Sequence, residues 1–280
     1  MRGIVTEGAA LLGGQRRGSE ASPFPMGEDQ RSHRIFRPLP SQVRMGWQLI
    51  PSYQDYLFQL SLLLRDPVYR GSNVQHGTGQ PLLLIPGFLA GDWTLRVMAR
   101  WLRRLGYRPY LSGIDWNVRA PERTGELLAR RLSYIVSETG SPVTMVGHSL
   151  GGMLARALGS HFPTVIFPGV VRHVVALGSP IHNSAHATHP LIRLAFLALH
   201  SLRKTPADLP GFIEKVSAPL PAGVGFTAIF STRDEIVAWR ACVDPQGNNY
   251  QVSGGHLGLV VNREVYRLLA NILASRPQVS

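Results

Sequence analysis

Residues 143–152 read VTMVGHSLGG, and this one serine enclosed by glycines restricts the fold more than any other feature of the chain. Val143, Met145 and Val146 end an apolar run of the kind that forms a buried strand, while residues 150–158 (LGGMLARAL) have the Ala, Leu and Arg content of a helix. Ser149 therefore falls at a strand-to-helix junction. In so tight a turn the serine takes a strained backbone conformation, and side chains two residues to either side would collide, which Gly147 and Gly151 avoid. Such a turn holds the hydroxyl above the carboxyl edge of a parallel sheet and aims the N–H of Leu150 at the same space from the helix N-terminus. Taken alone, Gly-x-Ser-x-Gly also fits a helix cap followed by a glycine-tolerant packing contact, so the rest of the chain has to decide.

Strand-like and helix-like segments alternate from residue 82 onward. Residues 82–85, 109–114, 143–146, 171–177, 226–230 and 250–252 are rich in β-branched and large apolar residues. Residues 93–105, 122–137, 150–161 and 263–274 carry helical periodicity, and a further helical segment precedes them near 52–65. Alternation of this kind predicts a mostly parallel central sheet with helices on both faces. With 280 residues, 44% of them hydrophobic, the chain is long enough for one large α/β domain over residues 46–280. Residues 1–45 are rich in Gly, Pro, Ser and Arg without either period, and they read as a flexible extension.

A serine nucleophile needs a base for its proton and an acid to orient that base, and on this architecture the order along the chain is serine, acid, histidine. In FTAIFSTRDEIV an apolar strand runs into a loop carrying Asp234, and in SGGHLGLVVNREVYRLLANIL His256 sits in a glycine-flanked loop before the last helix. Of the ten histidines only His256 occupies a loop that follows both partners. His33 lies in the extension, His76 precedes the sheet, and His161 and His173 fall on the wrong side of their elements. His148, inside the turn itself, suits positioning better than base chemistry. Glu235 adjoins Asp234, but neighbouring loop side chains usually point apart, so Glu235→Gln is expected to do little. For the developing oxyanion, the N–H of Leu150 is one donor, and the turn in LLLIPGFLAGDW offers the N–H of Phe88 as the second.

In "IPGF" before the first long helix, "VGHSLGG" at the turn and "GHLGL" before the terminal helix, the chain resembles the α/β-hydrolases, among them the small bacterial lipases and esterases of the Bacillus-lipase kind. The resemblance spans roughly residues 80–275 and implies an α/β-hydrolase fold. It also implies a serine ester hydrolase with Ser149 as nucleophile, Asp234 as acid, His256 as base, and Phe88 and Leu150 at the oxyanion hole. Two departures stand out: Pro86-Gly87 replaces the His-Gly of many relatives, and a long insert runs from about 181 to 224 where the smallest lipases have a short connection.

Within that insert, HPLIRLAFLALHSLRK is too short to span a bilayer and too apolar for an open surface helix. It reads as a lid whose residues Leu191, Leu194 and Phe196 face the substrate, and Leu191, Ile192, Leu194, Phe196, Leu197 and Leu199 together wrap the helix so completely that water must be kept from all of them. Arg193, Arg203 and Lys204 suit an anionic lipid interface. The alternative is a core helix over the sheet edge.

The formal net charge is +12, and of 29 basic residues only Lys204 and Lys215 are lysines. The arginines are dispersed and no nucleic-acid signature accompanies them, so the expectation is a solvated basic surface, peripheral contact with anionic membrane, and no nucleic-acid partner. His182, His186 and His189 have no carboxylate or cysteine close by in the sequence and no standard spacing, so neither metal nor cofactor is expected. The single Cys242 precludes an internal disulfide and fits a reducing compartment. Neither a signal peptide nor a transmembrane segment is evident, which points to a cytoplasmic or membrane-peripheral protein. Two other functions share these features: acyl transfer to an alcohol through the same acyl-enzyme, and a non-catalytic domain that binds membrane or a hydrophobic ligand.

Overall fold

The computed structural model describes residues 49–161, 169–182, 187–201 and 208–275, all within the unit Arg44–Ser280. The expected extension over 1–45, His186, Arg203 and Lys204 lie outside the described residues. Six parallel strands form one sheet: β1 (Pro81–Ile85), β2 (Arg108–Leu111), β3 (Val143–His148), β4 (Val171–Leu177), β5 (Gly225–Ser231) and β6 (Asn248–Val252), in the order β2-β1-β3-β4-β5-β6. Parallel pairing puts every strand's carboxyl end on one edge, where β1 and β3 are in register with Ile85 opposite Gly147.

Alternate strand residues feed two cores. Leu82, Leu84, Val146, Val175, Leu177 and Ile229 point to one face. They are covered there by α1 (Leu49–Arg65), α2 (Pro67–Arg70), α3 (Arg96–Arg104) and the terminal α8 (Arg263–Ala274). Leu83, Ile85, Met145, Val174 and Ala228 point to the other face. It is packed by α4 (Pro121–Thr139), α5 (Leu150–His161) and α7 (Leu209–Ser217). Burial on both faces is why β1 reads PLLLI, with every residue inaccessible.

The expected strand at 109–114 stops at Leu111. The Asp92 carboxylate captures the N–H groups of Ser112 and Gly113 at 3.2 and 2.7 Å, and Gly113 turns the chain at φ +83°. The insert contributes α6 (Pro190–Ser201) and α7. The chain entering α6 is tied to the segment just beyond Asp234, with His189 N–H donating to Ile236 O and Ala238 N–H to Ala187 O, both at 2.7 Å. No helix of the described residues is long and apolar enough to cross a membrane.

Candidate active site

The β3–α5 junction builds the turn that the sequence predicts. Ser149 has φ +54°, a left-handed conformation that a side-chain-bearing residue adopts only under constraint, and its N–H donates to Leu177 O at 2.8 Å. A Cβ on Gly147 would strike the main chain of Gly151 and Gly152, and one on Gly151 would strike Ile85 O. The glycines are therefore required by close backbone approach at the sheet edge. Leu150 opens α5, so its N–H, like those of any first helical turn, has no acceptor within the helix.

The loop after β1 carries Phe88 and is latched by Asn117, a residue the sequence reading did not single out. Asn117 Nδ2 donates to Pro86 O at 2.8 Å, its own N–H to Ala90 O at 2.7 Å, and its carbonyl accepts Leu89 N–H at 3.1 Å. Nothing in the local sequence (DWNVR) marks it, because the latch joins two loops that meet only when β1 and β2 pair.

Asp234 and His256 come from loops after β5 and β6, 22 residues apart, and they meet: His256 Nδ1 lies 2.7 Å from Asp234 Oδ2, with both side chains buried. A carboxylate only accepts, so Nδ1 carries the proton and Nε2 is left as the acceptor on the neutral ring. Asp234 is fixed by its other oxygen, which accepts the N–H groups of Ile236 and Val237 at 2.9 and 2.7 Å. Gly178, at the end of β4, leaves room for this pair: a Cβ there would approach Asp234 Oδ2 to 3.1 Å and His256 Nδ1 to 3.3 Å.

The ring of His148, next to Ser149, lies 4.7 Å from that of His256, and its Nε2 is 3.0 Å from His256 O. Burial first, and the neighbouring His256 second, push the His148 pKa down to about 3, so the ring is neutral and donates from Nε2 to that carbonyl. His148 thus joins the Ser149 turn to the His256 loop. His173 instead bonds Thr227 Oγ1 at 2.9 Å on the sheet, away from the carboxyl edge. Cys242 is buried beneath the acid loop, where burial foremost and the Asp234 charge next raise its pKa and keep the thiol protonated. Among the described residues no group of three His, Cys, Asp or Glu could hold a metal ion, and His182 lies 3.8 Å from Asp244.

One expectation is extended and one needs correction. Glu235 does point away from the His256 ring, but it is not idle: its carboxylate accepts the His256 N–H at 3.2 Å and the Ser52 hydroxyl of α1. Leu194, expected to line the site, is 62% exposed on the outer face of α6, together with Leu197 at 42%. The inner face is Ile192, packed near Ile236 and Val237, and Phe196, edge-on to Phe88 at 5.2 Å. A helix lying on a surface buries one stripe, and the spacing of 192, 196 and 199 leaves 194 and 197 outside it. The Leu191 side chain lies outside the described residues.

A family model described as the alpha/beta hydrolase fold matches residues 80–222, and the chain belongs to this family. Among solved structures, a metagenomic carboxyl esterase, MGS0156, superposes with a TM-score of 0.53 at 14% identity, covering 71% of this chain and 76% of that one. The mature form of the Bacillus licheniformis lipase BlEst2 gives 0.52 at 15% identity over 72% and 94%. The product of gene lin2722 of Listeria innocua gives 0.51 at 17% over 72% and 96%. These likenesses are of fold. No curated protein matches the chain by sequence.

Proposed function

We propose that the chain is a serine hydrolase of carboxylic esters, with Ser149 as nucleophile, His256 as base and Asp234 as the acid that orients it. The observation that carries this reading is the buried Asp234–His256 pair at 2.7 Å, joined through His148 to a serine held at φ +54°. His256 Nε2 takes the hydroxyl proton as Oγ attacks the ester carbonyl, and Asp234 stabilises the resulting imidazolium. The oxyanion is met by the N–H groups of Leu150 and Phe88. Collapse expels the alcohol, which takes its proton from His256, and water repeats the sequence on the acyl-enzyme. A carboxyl esterase and a lipase among the similar folds agree with this chemistry. A fluorophosphonate probe is expected to label the wild-type protein once and Ser149→Ala not at all; labelling that survives the substitution would sink the assignment.

We take the substrate to be lipid-like. Leu194 and Leu197 are exposed on α6, and Trp93 and Trp116 are 52% and 58% exposed and edge-on to each other at 6.2 Å. Exposed apolar side chains of this kind suit an interface where aromatic rings are half wet. Lifting α6 uncovers Ile192 and Phe196 at no more than about 1.5–3 kcal/mol each, a cost that a lipid surface offsets. Turnover of a medium-chain triglyceride is expected to rise steeply once droplets form. Leu194→Glu with Leu197→Glu should flatten that rise while sparing soluble short esters, because neither side chain packs inward. A smooth climb through the solubility limit, identical in the double variant, would make α6 an ordinary covering helix.

A further inference from the structure

Three glycines surround the base in SGGHLG, and room for a nucleophile does not account for them. Each faces α1 or the carboxylate α1 holds. A Cβ on Gly254 would come within 2.9 Å of Gln59 Nε2, and one on Gly255 within 2.9 Å of Glu235 Oε2 and 3.2 Å of Asp55 Oδ2. A Cβ on Gly258 would collide with Asp55 Oδ2. Gly254 is also fixed as glycine by its φ of +104°, while Gly255 and Gly258 leave the room in which carboxylates reach the main chain. Asp55 accepts the N–H of Gly255 at 2.7 Å, and Glu235 accepts the next one, that of His256, at 3.2 Å.

Both carboxylates are themselves held by α1. Gln59 Nε2 donates to Asp55 Oδ1 at 3.3 Å, and the Ser52 hydroxyl donates to Glu235. Ser52, Asp55 and Gln59 fall at i, i+3 and i+7, one face of the helix, and that face is turned toward the base loop. α1 precedes the residues matched by the family model, which begin at 80.

We propose that α1 is a positioning element for the base: Asp55, and Glu235 oriented by Ser52, lock the main chain of Gly255 and His256 so that the His256 ring stays registered between Asp234 and Ser149. The proposal rests on the serine-hydrolase reading above. Bonds from amide N–H to carboxylate are charge-assisted and directional, and two of them on successive peptides remove the rotation that would swing the ring. Outer partners of this kind typically contribute about 10- to 100-fold in activity, as seen for the residues behind metal-bound histidines. A ring displaced by about 1 Å loses a comparable factor.

The test compares full-length wild type, Asp55→Ala, Asp55→Asn and Ser52→Ala on a soluble p-nitrophenyl ester, with Ser149→Ala as the reference for the site. Asp55→Ala is expected to lower kcat about tenfold or more with KM changed less than about twofold. Asp55→Asn keeps an oxygen that accepts the Gly255 N–H, and it should recover most of that loss. Ser52→Ala should lower kcat by roughly threefold, the weaker effect of freeing Glu235 without deleting it. Unchanged kcat in both alanine variants overturns the proposal while an inactive Ser149→Ala leaves the serine-hydrolase reading standing. So does a loss confined to KM, or one that Asn does not recover. Activity persisting in Ser149→Ala overturns the reading itself. Should Asp55→Ala fail to fold, Ser52→Ala decides, and wild-type kcat there rejects the clamp.

Discussion

In folded Ser149→Ala and His256→Ala variants, hydrolysis of a short p-nitrophenyl ester is expected to fall by about 10⁶, each single loss costing nearly as much as losing both, because in the proposed mechanism nucleophile and base act as one unit. Among the described residues the ring of His148 lies 4.7 Å from that of His256, but its Nε2 is committed to His256 O, and burial leaves its pKa at about 3, too weak a base to replace the lost one. Measuring kcat by stopped-flow and steady state, with circular dichroism to show that the fold is kept, checks this. Activity above a few per cent of wild type in either variant would remove that residue from the mechanism.

The second large effect separates two adjacent carboxylates. Asp234→Asn is expected to lower kcat by about 10⁴, since an amide can present its NH₂ to Nδ1 and so favour the wrong tautomer of the base. Glu235→Gln should stay near wild type, because a glutamine oxygen still accepts the His256 N–H that Glu235 accepts now at 3.2 Å. The contrast is sharper than either value alone. Parallel damage in the two variants would mean that the loop is held by net charge and that the 2.7 Å bond of Asp234 has no special role.

Much of this site is legible in the chain because its requirements are local. Gly-x-Ser-x-Gly encodes a backbone clash within five residues, and the carboxyl ends of Val143–His148 and Gly225–Ser231 are marked by where their apolar runs stop. The helix Pro190–Ser201 is less legible. Six apolar residues over 191–199 imply full burial when counted, yet a helix docked on one side leaves Leu194 and Leu197 in solvent. One arginine departs from the dispersed surface set: Arg156 is buried, with its Nη2 2.8 Å from Asp244 Oδ2 and its Nε donating to Val216 O. Helical spacing could not reveal that, since the partners lie 60 and 88 residues away.

By itself the sequence determined the parallel α/β sheet, its strand-to-helix serine turn, and the loops that carry Asp234 and His256, because these follow from periodicity and from the order of elements along a right-handed parallel sheet. Tertiary structure alone decided how those loops are held. Asn117 latches the loop carrying Phe88, His148 bonds the His256 loop, and α1 reaches across 200 residues to place Asp55 against Gly255. Each of these is a hydrogen bond between a side chain and a distant main-chain group. A main-chain N–H or C=O is the same at every residue, so no residue type at the receiving end announces it, and only the closed fold brings donor to acceptor.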